Sequence, residues 1–274
     1  MRTPIYVCAS LLAAGLTGLA QEPDKVNVPL SDPSRPAVVH ASLLNGGITV
    51  TGYNGKEVIV EARPRGGESG KEGKPDRKAE GMRRLDSRGT GLSVEEQDNE
   101  VNIGVRAINR TVDLTIQVPF NSSLKLRCVN DGDIKVERVS GEVDVDDLNG
   151  GVKLLNISGA AVAHSLNEDV VVTLDQVTPG KSMSFSTMNG DVDVTLPADV
   201  KARVKMKSDN GEIYSDFDIK QEPNPANPKV SETHGKDGHF RVQFDKVTYG
   251  SINGGGPEMQ FTTFNGKIYL RKKK

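Results

Sequence analysis

The stretch Asn130-Asp131-Gly132-Asp133-Ile134-Lys135-Val136 returns as Asn149-Gly150-Gly151-Val152-Lys153-Leu154, Asn167-Glu168-Asp169-Val170-Val171-Val172 and Asn189-Gly190-Asp191-Val192-Asp193-Val194. Each copy reads Asn, then Gly or an acidic residue, then β-branched residues alternating with polar ones. Further copies stand at Asn45-Gly46-Gly47-Ile48-Thr49-Val50, Asn210-Gly211-Glu212-Ile213-Tyr214 and Asn265-Gly266-Lys267-Ile268-Tyr269-Leu270. Asn and Gly tolerate positive φ, so the pair makes a tight corner. The apolar residues at alternate positions after it line one strand face, while Asp, Lys or Thr meets water. Between Asn130 and Asn210 the corners are 19, 18, 22 and 21 residues apart.

Second corners at Ser140-Gly141-Glu142-Val143-Asp144-Val145 and Ser158-Gly159-Ala160 make each unit corner, short strand, corner, short strand. Such a unit cannot bury its apolar face alone, and stacked copies close a narrow core of Val, Ile and Leu. The fold class is therefore all-β. Two packings fit the pattern: a single-chain parallel β-helix or β-solenoid with coils of about 20 residues, and an antiparallel β-sandwich or meander with primed Asn-Gly hairpin turns. Small side chains, few aromatics and near-constant coil length favour the solenoid. In it the corner asparagines stack and their amides hydrogen-bond along the stack, as in cross-β assemblies. Sequence order then places Val192 and Val194 between Val170 and Val172 of the preceding coil and Ile213 of the next.

The chain has 274 residues with 29 Gly, 7 Phe, 5 Tyr and no Trp, which excludes a bulky aromatic core and demands frequent turns. Its formal net charge of -2 gives no global field to attract a polyanion, so no nucleic-acid partner is expected. Residues 1–20 read as a signal peptide: Arg2 is the positive start, Ile5 to Ala20 is mostly apolar, and Gly18-Leu19-Ala20 is a small-residue cleavage site. The mature protein is expected to begin at Gln21, without a transmembrane segment, in the periplasm or at the cell surface of a bacterium. Residues 21–36 read as an extended segment, 37–270 as the repeat domain and 271–274 as a basic tail. Polar excursions interrupt the domain at 63–91 and 222–238.

Removing the first twenty residues takes Cys8 and leaves Cys128 as a single thiol, so no intrachain disulfide forms. In Leu124-Lys125-Leu126-Arg127-Cys128 strict alternation puts Cys128 on the apolar face, as a packing residue.

With the Asn-Gly phrases, the leading apolar segment and the closing Phe264-Asn265-Gly266-Lys267-Ile268-Tyr269-Leu270, the chain from Ala37 to Leu270 resembles the bacterial putative-adhesin family of unknown function, DUF4097 type. The resemblance implies an exported β-helix-like envelope protein and brings no catalytic or binding residues with it.

Chemistry-bearing groups are sparse. Asp144, Asp146 and Asp147 cluster, and glycoside hydrolysis needs two carboxylates across a sugar. Alternation places Asp144 and Asp146 on one outward face, where solvated carboxylates are ordinary; Asp131, Asp133, Asp191 and Asp193 occupy similar places. No cluster of Arg, Lys and His accompanies the pair on its own coils. Asn130-Asp131-Gly132-Asp133 resembles the opening of a calcium loop but lacks the closing Glu, which leaves only a weak structural calcium site open. His234, Asp237 and His239 offer three zinc ligands in a Gly-rich loop, a pattern commoner for solvated residues. There is no Gly-x-Ser-x-Gly elbow, and Pro257 follows Asn253-Gly254-Gly255-Gly256 where a phosphate loop needs Lys.

No catalytic, cofactor-binding or metal residue is assigned, and no cofactor is expected. The expected function is a non-enzymatic envelope protein that presents a rigid β-surface for adhesion or scaffolding, with an envelope protein or glycan as partner. The alternative is a carbohydrate-active enzyme, a polysaccharide lyase or glycosidase, on the same scaffold.

Overall fold

The computed structural model describes residues 23–65, 89–106, 110–223 and 247–274, together with the paired strands Thr233–His234 and Phe240–Arg241. Every regular element among them is a β-strand. Twenty of the described strands form one continuous sheet folded into two walls, and the 14-residue strand Val152–Ser165 belongs to both.

A coil consists of a strand in the second wall, an Asn corner, and a strand in the first wall. Val38–Asn45 leads to Ile48–Tyr53, Ser123–Asn130 to Ile134–Glu137, and Glu142–Asp147 to the start of Val152–Ser165. The end of Val152–Ser165 leads to Val170–Val177, and Met183–Asn189 to Val192–Leu196. Ala202–Ser208 leads to Ile213–Ser215, and Glu258–Asn265 to Ile268–Lys272. Equivalent strands of neighbouring coils pair in parallel, as Val170, Val172 and Thr173 do with Val192, Val194 and Thr195. The solenoid packing is the one the chain adopts.

Alternation explains the core. Val192, Val194, Val170, Val172, Ile134 and Val152 point between the walls and are fully buried, and Phe185 stacks on Phe261 with ring centroids 5.6 Å apart. At the corners the backbones of neighbouring coils approach too closely for a side chain. A methyl group on Gly46, at φ +125°, would overlap the Val112 carbonyl, so the Asn-Gly signature marks a steric requirement as well as a turn.

The stacking order departs from sequence order at both ends. Ile268 and Leu270, not Ile213, lie beside Val192 and Val194, and Ile213 pairs with Ile268. The last coil in sequence is thus inserted between the Asn189 and Asn210 coils. At the other end the Asn45 coil lies between Glu100–Val105 with Val112–Pro119 and the Asn130 coil. In each case a long intervening segment lets the chain leave the stack and re-enter one coil back.

Antiparallel strands flank the parallel stack. Asp24–Pro29 pairs with Glu57–Pro64, which pairs with Val112–Pro119; Leu92–Gln97 pairs with Glu100–Val105; Val247–Ile252 pairs with Ala202–Ser208. The segment 21–36 therefore contains a paired strand. The basic end is also tied down: Arg271 grips Asp193 through Nε at 2.7 Å and Nη2 at 2.9 Å, and Lys273 Nζ lies 2.6 Å from Asp175. The central part of the first excursion, 66–88, and most of the second lie outside the described residues. No helix among the described residues is long and apolar enough to cross a membrane.

Candidate interaction surface

The corner asparagines form one ladder. Asn210 Nδ2 donates to Asn265 Oδ1 at 2.9 Å, Asn265 to Asn189 at 2.8 Å, and Asn189 to Asn167 at 3.1 Å. Asn167 donates to Asn149 at 2.7 Å, Asn149 to Asn130 at 2.8 Å, and Asn130 to Asn45 at 3.3 Å. Every bond runs in the same direction, so the amide dipoles add along the stack.

Next to the ladder, on the outer face of the second wall, lies a row of apolar side chains. Leu44, Val129, Leu148, Leu166, Met188 and Phe264 each precede a corner Asn, and the parallel register sets them side by side. Leu44, Leu148, Met188 and Phe264 are 45%, 43%, 46% and 45% exposed, and Val129 and Leu166 are half-buried. At the usual strand spacing the row is about 24 Å long. The sequence carries its signature, an apolar residue immediately before the Asn at each corner but Asn210, where Asp209 stands. Sequence reasoning missed it by attending to the residues after the Asn.

Apart from the exposed Val38 and Val162, the remaining outer face of this wall is polar. Asp144 and Asp146 point outward as expected, and the neighbouring coil brings Lys125 and Arg127 into register beside them. Cations thus accompany the carboxylates from the adjacent coil rather than from their own. Beyond them His40, Asn102, Arg106, Lys125 and Arg127 line a shallow basin of about 480 Å³. His40 Nε2 lies 3.4 Å from Glu100. In the middle of the wall the face is uncharged, and the His164 ring meets Ser186 Oγ at 2.9 Å. Such a face offers apolar contact along one edge and solvated donors and acceptors beside it.

Several acidic residues serve the corners instead. Backbone N–H groups of Gly47, Gly151, Asp191 and Lys267 donate to Asp113, Asp133, Asp169 and Asp191 of neighbouring coils at 2.9, 3.1, 2.7 and 2.7 Å. Asp133 also holds Lys153 Nζ at 2.9 Å. Burial draws its carboxyl upward, but these partners outweigh that and keep it below the usual carboxylate range. The oxygen atoms considered for calcium are thus engaged within the fold at Asp133. Asp193 is held by Arg271.

Among the described residues no group of three His, Cys, Asp or Glu side chains is gathered for a metal. The side chains of His234, Asp237 and His239 lie outside the description. Cys128 is buried, and its thiol donates to the Gly46 carbonyl at 2.8 Å. Asp147 turns inward, away from Asp144 and Asp146, and is fully buried.

Residues 128–245 match the Toastrack DUF4097 family. The Toastrack match starts at Cys128 and spans the corners from Asn130 to Asn210, the region of most regular spacing. The chain is also similar to two solved structures. One is a putative cell adhesion protein from Clostridium sporogenes, 14% identical, covering 92% of this chain and 100% of that one, with a TM-score of 0.48. The other is a putative adhesin from Bacteroides fragilis, 11% identical, covering 92% and 98%, with a TM-score of 0.30. No curated protein matches the chain.

Proposed function

We propose that the protein is an exported, non-enzymatic envelope protein whose second wall is a rigid face for adhesion or scaffolding. The observation that carries this reading is the apolar row. Outward positions of a solenoid are free to be polar, and most here are charged or hydrogen-bonding side chains. A straight run of exposed Leu, Met and Phe does nothing for the core, and contiguous exposed apolar surface marks sites of interaction. The ladder beside it fixes the spacing of the side chains, so a partner meets a preorganised surface.

Ile5 to Ala20 supports export, which places the face in the periplasm or at the cell surface. The partner is an envelope protein or glycan that takes apolar contact along the row and polar contact beside it.

The test is co-sedimentation of purified protein with the native cell envelope. Replacing Leu148, Met188 and Phe264 together with Ser removes apolar surface that is already exposed, so the circular dichroism spectrum stays unchanged while retention falls at least tenfold. Unchanged retention would remove the row from the mechanism. Cleavage of a polysaccharide that disappears in Asp144→Asn and Asp146→Asn would overturn the non-enzymatic reading.

A further inference from the structure

Inside the corners a second polar row runs parallel to the asparagines. Cys128, Asp147, Ser165, Thr187, Thr263 and Ser208 are inward residues at the ends of their strands. The register sets Cys128 beside Asp147, Asp147 beside Ser165, and Thr263 between Thr187 and Ser208. All but Asp147 perform one task, donating S–H or O–H to a corner carbonyl of the neighbouring coil. Cys128 donates to Gly46 at 2.8 Å, Ser165 to Gly150 at 2.9 Å, and Thr187 to Glu168 at 2.8 Å. Thr263 donates to Gly190 at 2.9 Å and Ser208 to Gly266 at 2.8 Å. Buried carbonyls without donors are costly, and the row supplies these corners with one donor each.

Asp147 differs in residue type but not in position. Its Oδ1 accepts the Gly150 N–H at 2.8 Å, and its Oδ2 is buried without a hydrogen-bond partner. A methyl group on Gly150 would overlap the Gly132 carbonyl oxygen and lie 2.8 Å from Asp147 Oδ2. A methyl group on Gly211 would likewise overlap the Gly266 carbonyl oxygen and lie 2.9 Å from Ser208 Oγ. In that second corner the hydroxyl donates to the carbonyl. Asp147 Oδ2 and the Gly132 carbonyl oxygen thus border the same point beside Gly150, as Ser208 Oγ and the Gly266 carbonyl oxygen do beside Gly211. A carboxylate has no hydrogen to give there, whereas a carboxylic acid has one.

We propose that Asp147 is a proton-binding site of the core: below neutral pH its Oδ2 carries a proton and donates it in a hydrogen bond to the Gly132 carbonyl oxygen. Ionisation breaks that bond, sets a buried charge against a carbonyl dipole, and loosens the junction between the Asn130 and Asn149 coils.

The surroundings favour the neutral acid. Burial pushes the carboxyl up to about 6, and Asp133 at the facing corner and Asp146 on the same strand add to the rise, against the opposing N–H groups of Gly150 and Asn149. From the strand on one side comes the Cys128 thiol, itself held neutral by burial, and from the other the uncharged Ser165. Arg65 reaches the Asp131 carbonyl but is committed to Asp113, and Lys153 is committed to Asp133. Among the described residues no cation pairs with Oδ2. The same junction carries the Asn149 to Asn130 rung and the Val129–Leu148 step of the apolar row, so its loosening would be felt on the surface.

The sign follows from linkage. The folded-state value lies above the roughly 3.9 of an unfolded Asp, so the stabilisation is complete below that value and is lost as pH rises through about 6. Two units correspond to a change on the order of 100-fold in the folding equilibrium constant. Equilibrium unfolding of wild type, Asp147→Asn and Asp147→Ser at pH 4.5 and 7.5 tests this. The amide and the hydroxyl donate at both pH values, so the wild type is expected to lose most of that factor relative to both variants as pH rises. A single shared pH profile overturns the proposal.

Should the variants fail to fold, the Asp147 carboxyl carbon of labelled wild-type protein is followed by NMR. A midpoint near 6 supports the proposal and one at or below 4 overturns it. Neither measurement involves envelope binding, so the result stands apart from the adhesion reading.

Discussion

Cys128 shows how a single residue's chemistry is set by its place in the stack. Burial first, and the neighbouring Asp147 second, push its thiol up to about 12. Since the thiolate is the reactive form, the folded protein should react with a thiol reagent at pH 8 about 10³-fold more slowly than the denatured chain, with labelling complete only in denaturant. Rapid labelling of native protein would contradict the burial. The linkage runs the same way: this stabilisation is whole below the unfolded value near 8.5 and is lost as pH rises toward 12. The inward position of Cys128 was legible from Leu124 and Leu126. The same alternation through Val143 and Val145 placed Asp147 inward as well, but its companions Asp144 and Asp146 suggested a surface cluster. The strand period, not the local composition, decides which carboxylate is buried.

At the scale of the element, the corner is a turn, a close backbone approach and a rung of the ladder at once. Asn167 donates to Asn149 and accepts from Asn189, so Asn167→Ala removes both rungs. Each is worth about 0.5–1.5 kcal/mol net, and the site is exposed. The expected loss is about 1 kcal/mol, measured as a lower urea midpoint, with the outward Thr173→Ala as a control that changes little. Equal midpoints for the two variants would show that the ladder registers the coils without stabilising them. The ladder was legible because a stack of equivalent asparagines has an obvious partner for each amide. The Asp acceptors of the corner N–H groups were not, since an outward Asp in sequence looks the same whether it meets water or the backbone of the next coil. The apolar row was legible in principle, one position before each Asn.

The whole molecule is a stack whose order the sequence does not spell out. Each coil presents nearly the same valine- and isoleucine-lined edge to either neighbour, so local pattern specifies that coils stack but not which coil stacks on which. The long segments between the Asn45 and Asn130 corners and between Asn210 and Asn265 free the terminal coils to enter the stack out of turn. Pairwise cross-linking on the outer face of the second wall tests the order. Ser186 is in register with Thr262, and Thr262 with Lys207. Cysteines at neighbouring parallel positions are within the span of a disulfide, whereas Ser186 and Lys207 are separated by a whole strand and lie roughly 9–10 Å apart. The double variants Ser186→Cys with Thr262→Cys and Thr262→Cys with Lys207→Cys should therefore oxidise to intrachain disulfides while buried Cys128 stays reduced. Ser186→Cys with Lys207→Cys should remain a dithiol. The reverse result, a disulfide only in this last pair, would restore sequence order to the stack and remove Phe264 from the continuous row on which the adhesion face depends.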